Sequence, residues 1–414
     1  MKKIVLAIFV ILTFKANASH LMGGQITSRN IGGLSYEVTL SLYRDTLGIP
    51  MNVDSKITYQ NSIGNYNVFH MVNYSYMFQL GNGVEKYIFL DTITFPNNGV
   101  YNVYSENCCR NAAILNIPFA GAEGMRLNAI IKADPTNSSP NFLNEPITLA
   151  QLNQPFSYNP LPYDLDGDSL SWVLDKPLND SPGVPISNYV LPYADSLGPF
   201  QMDSLTGEIT FIPNTIGYFQ VSVKAIEWRN GIQIGFIRRD MQIIVIPSSN
   251  LPVQIQVNSS IHISTTNSIY LNSGDSLLLN ITAVNPDNGI TSIGFAGSLF
   301  LSSNPAYLLS NTPIQNGFNS IISWIPTIDD VQEQPYYLSF RIGDYSPLGV
   351  FFNDYTYRVF VVNNTTGLGE NFPVRERYFI KSINMLGQEI DPESYGFRID
   401  LYSDGTAKKI YRGQ

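Results

Sequence analysis

The feature that most constrains the fold is the alternation of apolar and polar residues along short segments. Residues 36–42, 219–225 and 277–283 each place apolar side chains at every second position. Successive side chains of an extended strand point to opposite faces, so this period puts one apolar face on a core. Asn-Gly and Asp-Gly turn formers separate such segments, and no sustained helical stripe occurs. The sequence therefore predicts an all-β protein made of tandem immunoglobulin-like or cadherin-like sandwiches.

An internal repeat indicates how these sandwiches are divided. Ile-Thr-Phe-Ile-Pro at residues 209–213 returns as Ile-Ser-Trp-Ile-Pro at residues 322–326, 113 positions later. This spacing is typical of one immunoglobulin-like sandwich per copy, although two β domains of similar composition could match by chance. We predict an N-terminal β-sandwich, a cadherin- or Ig-like domain, a second Ig-like domain and a short C-terminal β segment, at residues 19–135, 136–248, 249–364 and 365–414.

The N-terminus has the pattern of an export signal. Two lysines precede an apolar run at residues 4–14, and Ala-Asn-Ala at 16–18 offers the small side chains that signal peptidase accepts. The run is shorter than the roughly 20 residues that cross a bilayer. We predict a signal peptide over residues 1–18 and no transmembrane helix later in the chain, with an uncleaved anchor or a core strand as the alternatives.

Composition argues against several functional classes. The net charge of −9 leaves no basic stripe to neutralise phosphates, so we predict no nucleic-acid partner. The three histidines, His20, His70 and His262, have no paired spacing for zinc. No nucleophile elbow or phosphate-binding glycine loop occurs, so we predict a non-enzyme. Carboxylate pairs for glycoside hydrolysis form only in the fold, and that alternative stays open.

The acidic turn Asp-Leu-Asp-Gly-Asp is the most specific local chemistry. Asp164, Asp166 and Asp168 can direct their oxygens at one centre, and Glu227 could complete the set. Calcium takes six to eight oxygen ligands, so these four residues predict a calcium site. The alternative is a hairpin whose Asp and Gly residues serve turn geometry alone. The second Ig-like domain keeps only two such acids, Asp287 and Asp344. We expect it to bind no metal.

Two adjacent cysteines, Cys108 and Cys109, are the only ones in the chain. In an oxidising compartment they could form a vicinal disulfide, remain free or bridge to other chains. Small buried apolar side chains are an equally plausible interpretation.

Several motifs in the N-terminal half match a known pattern. They are Ser-His-Leu-Met-Gly-Gly-Gln-Ile-Thr at 19–27, Cys-Cys-Arg-Asn at 108–111, Asn-Ser-Ser-Pro at 137–140, the acidic turn, and Glu-Trp-Arg-Asn-Gly at 227–231. Together they resemble secreted and surface proteins of Bacteroidota that carry immunoglobulin- or cadherin-like repeats, over about residues 19–246. Members of that family usually carry further cysteines at the positions of Thr46 and Gln151. This chain departs from that disulfide pattern, which leaves Cys108 and Cys109 only each other.

The last fifty residues carry a second resemblance. Residues 378–390, 396–402 and 404–410 are similar to a type IX secretion C-terminal sorting region. The resemblance implies export through the outer membrane by the type IX secretion machinery and display on the cell surface. A terminal hairpin of the third domain is the alternative interpretation.

Taken together, these features predict a non-catalytic, exported cell-surface protein with an adhesion or surface-interaction role. Its expected partners are surface glycans or proteins. The alternative is a carbohydrate-binding or envelope accessory protein for polymer capture, because the 25 tyrosines could stack on sugars. Exposed, clustered aromatic side chains would favour this alternative, and buried ones would favour adhesion.

Overall fold

The structure, a computed structural model, is all-β in the residues that it describes, which confirms the predicted fold class. Those residues are 20–61, 67–247, 249–332, 334–363, 379–383, 389–392, 396–402 and 407–412. The predicted signal peptide lies outside them. The chain divides after Asn363 into two compact units. Within the described residues, no helix has the length and apolar character needed to cross a membrane.

Strands make up nearly all of the regular structure. In residues 20–246 they are β1 (Leu21–Gly32), β2 (Ser35–Asp45), β3 (Asp54–Asn61), β4 (Asn67–Gly81), β5 (Val84–Thr94), β6 (Gly99–Asn107), β7 (Met125–Ala133), β8 (Asn141–Phe142), β9 (Ile147–Gln151), β10 (Phe156–Tyr158), β11 (Pro162–Tyr163), β12 (Ser169–Asp175), β13 (Gln201–Met202), β14 (Ile209–Phe211), β15 (Gly217–Arg229) and β16 (Ile232–Ile246). In residues 254–362 they are β17 (Gln254–Ser259), β18 (Ser268–Asn272), β19 (Leu277–Val284), β20 (Ile290–Ala296), β21 (Tyr307–Ile314), β22 (Gly317–Trp324), β23 (Tyr336–Ser346) and β24 (Gly349–Val362). Short 3₁₀ helices lie at Ala120–Ala122, Ser298–Leu301 and Ile328–Asp330.

The N-terminal sheet closes on itself through a strand from later in the chain. Its order is β1-β2-β5-β4-β3-β6-β7, and β16 then pairs with both β7 and β1. Gly23 allows the closure, because a Cβ there would lie 2.3 Å from the carbonyl oxygen of Asp240 on β16. Apolar side chains that alternate along these strands, including Leu40, Phe89 and Leu127, form one buried core inside the closed sheet.

The second and third sandwiches repeat one topology. The second packs the strands β12-β15-β16-β9 against β10-β14-β13, around Trp172, Phe211 and Phe219. The third packs β20-β23-β24-β18 against β17-β19-β22-β21, around Trp324 and Phe340. In both, the last long strand runs parallel to an early one, β9 with β16 and β18 with β24. The repeated pentapeptide falls on β14 and β22, equivalent strands in the two copies.

The predicted domain limits fall between strands where the structure describes them. The limit at 135/136 lies between β7 and β8, and the limit at 248/249 lies between β16 and β17. Strand β16 nevertheless serves both the closed sheet and the second sandwich. The limit at 364/365 lies outside the described residues, and the division into separate domains stays a prediction.

The C-terminal unit contains one antiparallel sheet. Its strands are β25 (Phe379–Ile383), β26 (Glu389–Ile390), β27 (Gly396–Tyr402) and β28 (Ala407–Arg412). They pair in the order β26-β25-β27-β28. Its role as a sorting region stays a prediction. In the larger unit, Cys108 and Cys109 form a disulfide with each other directly after β6.

Candidate metal centre and exposed strand

The acidic turn is built around Asp164, which follows β11. Its Oδ1 accepts the backbone N–H groups of Asp166, at 2.9 Å, and Asp168, at 3.1 Å. Gly167 has a φ of +81°, a conformation that glycine adopts without steric cost. Asp164 and Gly167 thus serve the geometry of the turn, but β11 pairs with β8 and β12 with β15, so the turn does not close a hairpin between β11 and β12. The same turn also brings one carboxylate oxygen from each aspartate within 4.8 Å of the others.

Glu227 approaches this turn from β15 and is 1% exposed. Its Oε1 and the Oδ2 of Asp164 are both buried and have no hydrogen-bond partner among the described residues. Burial and then the charge of Asp164 raise the pKa of Glu227 to about 9. Burial also raises the pKa of Asp164 to about 6, against the effect of its backbone hydrogen bonds. The structure thus brings Asp164, Asp166 and Asp168 together and places Glu227 where the charge of Asp164 acts on it, and buried oxygens of Asp164 and Glu227 have no hydrogen-bond partner among the described residues.

The other two aspartates have partners within the protein. Both oxygens of Asp168 accept hydrogen bonds from Arg229, at 2.7 Å from Nε and 2.6 Å from Nη2. Asp166 accepts the backbone N–H of Ser138 through Oδ2. Arg229 also donates to the Oδ1 of Asn137 at 2.7 Å, which ties the turn to the segment after β7. Sequence reasoning missed this arginine, although its place two residues after Glu227 on one strand puts both on the same face.

The third sandwich contains the same arrangement with one decisive difference. Asn285 stands where the second sandwich has Asp164, and its Oδ1 accepts the N–H of Asp287 at 2.9 Å. Its amide Nδ2 donates to the buried Asp344 at 2.9 Å, and Asn250 donates to the other oxygen of Asp344 at 2.5 Å. Amide hydrogens thus satisfy the buried acid of the third sandwich.

This comparison defines what the second sandwich lacks. The charge of Asp164 raises the pKa of Glu227 and a hydrogen bond from the Asn137 side chain lowers it, but Asp164 offers a carboxyl group where the third sandwich offers the Asn285 amide. Like charges at this separation repel, so the pair needs either a cation or a shared proton. An all-oxygen set of this kind suits a hard divalent cation, although it supplies only part of the six to eight ligands that calcium takes.

A second feature, which sequence analysis missed, lies on β4. Seven apolar side chains of this strand are exposed, with Phe69 61% and Tyr76 55% accessible to solvent. The rings of Tyr76 and Phe78 stack, with centroids 6.2 Å apart and planes at 29°. The signal in the sequence is the run Tyr-Met-Phe at 76–78, which breaks the two-residue alternation. We call this set the β4 surface: Phe69, Met71, Tyr74, Tyr76, Met77, Phe78 and Leu80.

No protein-family model and no curated protein matches the chain. Among solved structures it is similar to a chain in the complex of Dpr2 Ig1-Ig2 with DIP-Theta Ig1-Ig3, at 9% identity over 79% of this chain and 94% of that chain, with a TM-score of 0.17. The protocadherin gamma B2 cadherin domains 1–5 are 12% identical over 85% and 57%, with a TM-score of 0.19. The sialic acid binding region of a Streptococcus sanguinis adhesin is 11% identical over 66% and 97%, also with a TM-score of 0.19. TM-scores this low give no ground for assigning the ligands of those proteins to this chain.

Proposed function

We propose that this chain is an exported, non-catalytic protein of the cell surface that acts by contact, in an adhesion or other surface-interaction role. The β4 surface is the observation that supports a role by contact, and its exposed aromatic side chains are also the feature that favours the carbohydrate-binding alternative. A cluster of exposed apolar side chains on a soluble protein commonly marks a site that meets a partner. Aromatic residues are also the side chains that carry most binding energy at interfaces.

The strand pairing leaves the β4 surface accessible from more than one side. Strand β3 pairs with residues 67–73 of β4, and β5 pairs with residues 74–81. Along residues 75–81 the edge on the β3 side has no strand partner among the residues that the structure describes. The segment carries no charged residue that would oppose contact at this edge.

Binding of the labelled mature chain to intact cells and to a glycan array would test this function. Replacing Tyr76 and Phe78 by serine removes two aromatic anchors, so binding should fall at least tenfold, about 1.4 kcal/mol. The matched control replaces Leu197 and Leu301, which are 91% and 72% exposed elsewhere, and should bind as the unmodified chain does. If both variants lost binding equally, or if neither lost binding, the β4 surface would not be the binding site.

The second candidate is capture of carbohydrate polymers. The exposed, stacked pair of Tyr76 and Phe78 favours it, because aromatic faces form platforms for sugar rings. The same glycan array separates the two candidates. Polymer capture predicts saturable binding to glycans that the Tyr76 and Phe78 double variant loses, whereas protein-mediated adhesion predicts cell binding without glycan binding.

We also propose that the second sandwich binds calcium through Asp164, Asp166 and Glu227, with Asp168 held in place by Arg229. The unsatisfied oxygens of Asp164 and Glu227 support this site. The test is the converse substitution in the third sandwich, Asn285→Asp, which would recreate two facing acids. In chelator this variant should melt lower than the unmodified chain, and calcium should restore it. If Asn285→Asp melted at the same temperature in calcium and in chelator, the proposal would be contradicted.

Export and surface display complete the proposal. Residues 1–18 would direct the chain across the inner membrane, and residues 365–414 would engage the type IX secretion machinery. The motif resemblance supports this, together with a sheet that the C-terminal strands form among themselves. Deleting residues 368–414 should trap a folded chain in the periplasm. Unchanged surface display of the truncated chain would overturn this part of the proposal.

A further inference from the structure

A cleft lies where the second sandwich meets the third. The two sandwiches are joined beside it by hydrogen bonds from β10 and the residue that follows it to β24. The hydroxyl of Ser157 donates to the backbone carbonyl of Asp354 at 2.7 Å, and the backbone N–H of Asn159 donates to the Asp354 carboxylate at 2.7 Å. The Asn159 amide also donates to the Thr356 hydroxyl at 2.7 Å. These contacts fix the two walls relative to each other before any ligand arrives.

The cleft encloses 280 Å³, slightly below the roughly 300–1,000 Å³ of pockets for drug-sized ligands. Its lining is unusual because it is mostly polar. The residues that define its chemistry are Asp203, Thr206, Glu208, Asn267, Thr356 and Arg358. Carboxylates accept hydrogen bonds, the guanidinium and the amide donate them, and the hydroxyls do both.

Contacts within the protein orient several of these groups. The Oδ1 of Asp203 accepts the backbone N–H groups of Leu205 and Thr206, at 2.7 and 2.9 Å. Glu208 accepts the Ser157 hydroxyl at 3.0 Å. Arg358 donates to the backbone carbonyl of Thr266 at 3.3 Å. Because the protein already orients these side chains, binding a ligand costs less of their conformational entropy.

The charges of the cleft exclude several ligand classes. Arg358 opposes a simple cation, whereas Asp203 and Glu208 oppose an anion. Although nine of the ten lining residues have polar side chains, their carbon atoms supply almost half of the exposed lining, which leaves room for the carbon face of a polar ligand. A small neutral ligand that carries both donors and acceptors on all sides matches this mixture of groups.

We propose that this cleft binds one ring of a neutral, hydroxyl-rich sugar. Glu208 and Asp203 accept hydrogen bonds from sugar hydroxyls, and Arg358 and Asn267 donate to them. The site is separate from the β4 surface and does not depend on its role. Through this cleft the chain would bind a glycan at the junction of the second and third sandwiches, independently of any partner that binds the β4 surface.

To test this, the mature full-length chain is titrated with methyl glycosides of glucose, galactose, mannose and N-acetylglucosamine. Binding is measured by saturation-transfer NMR and by calorimetry. At least one glycoside should bind saturably. Glu208→Gln should weaken that binding about tenfold, because the replacement exchanges one acceptor oxygen of the carboxyl group for an amide donor. Asn267→Gly should weaken it similarly while keeping the positive φ of 53° that this position requires.

Two controls make the outcome decisive. Glu37→Gln changes an exposed acid far from the cleft in sequence and should leave sugar binding unchanged. The Tyr76 and Phe78 serine variant should also leave it unchanged. No saturable binding of any glycoside would overturn the cleft site, as would binding that both cleft variants retain. Binding lost only in the β4 variant would overturn it as well, while supporting polymer capture at β4.

Discussion

The buried ion pair between Arg110 and Asp240 should control the stability of both the closed sheet and the second sandwich. Both side chains are 0% exposed, and Arg110 Nη2 lies 2.7 Å from Asp240 Oδ2. Arg110 also donates to the backbone carbonyls of Leu178, at 2.9 Å, and Gly124, at 3.0 Å. Asp240 lies on β16 opposite Gly24 of β1, where the N-terminal sheet closes. The pair therefore links three distant parts of the chain.

The expected magnitude follows from this burial. Arg110→Met leaves the carboxylate of Asp240 buried without its cation, which typically costs about 3–5 kcal/mol. Replacing both residues, Arg110→Met with Asp240→Leu, removes the orphaned charge and should recover much of that loss. The control Arg29→Met breaks the exposed pair with Glu37, which is worth about 0–1 kcal/mol.

Urea denaturation, monitored by two spectroscopic signals, measures this loss of stability. Tryptophan fluorescence reports on the second and third sandwiches, which contain the three tryptophans, and far-ultraviolet circular dichroism reports on all strands. Because β16 and this ion pair join the closed sheet to the second sandwich, Arg110→Met should shift both transitions together. A shift no larger than that of Arg29→Met would refute the reasoning. So would a circular dichroism transition that separates from the fluorescence transition in the unmodified chain.

Two further predictions concern single residues. Gly23→Ala should destabilise the chain by about 1–3 kcal/mol in thermal or urea unfolding, because its Cβ would lie 2.3 Å from a backbone oxygen of β16. Gly99→Ala, whose Cβ would make only an ordinary 3.7 Å contact, should change stability far less. Burial, with the charges of Asp354 and Asp203, raises the pKa of Glu208 from 4.5 to about 7. Its contribution to stability is therefore complete below about pH 4.5 and declines by on the order of 3 kcal/mol as pH rises to 7. Glu208→Gln should flatten this part of the stability profile, and an unchanged slope would show that other groups cause it.

The alternation of residues predicts the strands and the fold class because strand periodicity is local. The core positions of β2, β15 and β19 follow directly from residues 36–42, 219–225 and 277–283. The repeated pentapeptide likewise places β14 and β22 in equivalent positions. Closure of the N-terminal sheet could not be predicted in this way. It depends on the pairing of Gly24 with Asp240, and nothing local to either strand specifies a partner so distant in sequence.

The candidate site was predictable for a similar reason. Asp164, Asp166 and Asp168 come together because one short turn holds them, so their proximity follows from spacing alone. Glu227 reaches them because β12 and β15 are neighbours, and Leu170 stands opposite Glu227 in the register. The bidentate contact of Arg229 with Asp168 joins β15 to the turn before β12, and the sequence does not fix the side-chain directions that this contact needs. The role of the Asn285 amide becomes clear only by comparison with Asp164, which occupies the equivalent position in the second sandwich.

Calcium titration of the mature chain by calorimetry, paired with thermal melting, tests the central structural claim most directly. We expect one calcium ion to bind per chain, in the second sandwich. At a hundredfold excess over Kd, binding to the native state should stabilise it by about 2.7 kcal/mol. Asp164→Asn should abolish both the heat and the shift in melting temperature, and in chelator it should melt above the unmodified chain, since its amide can donate to Glu227 as Asn285 does to Asp344. The exposed Asp329→Asn should behave as the unmodified chain does. Identical melting temperatures in calcium and in chelator, with no binding heat, would contradict a calcium site in the second sandwich.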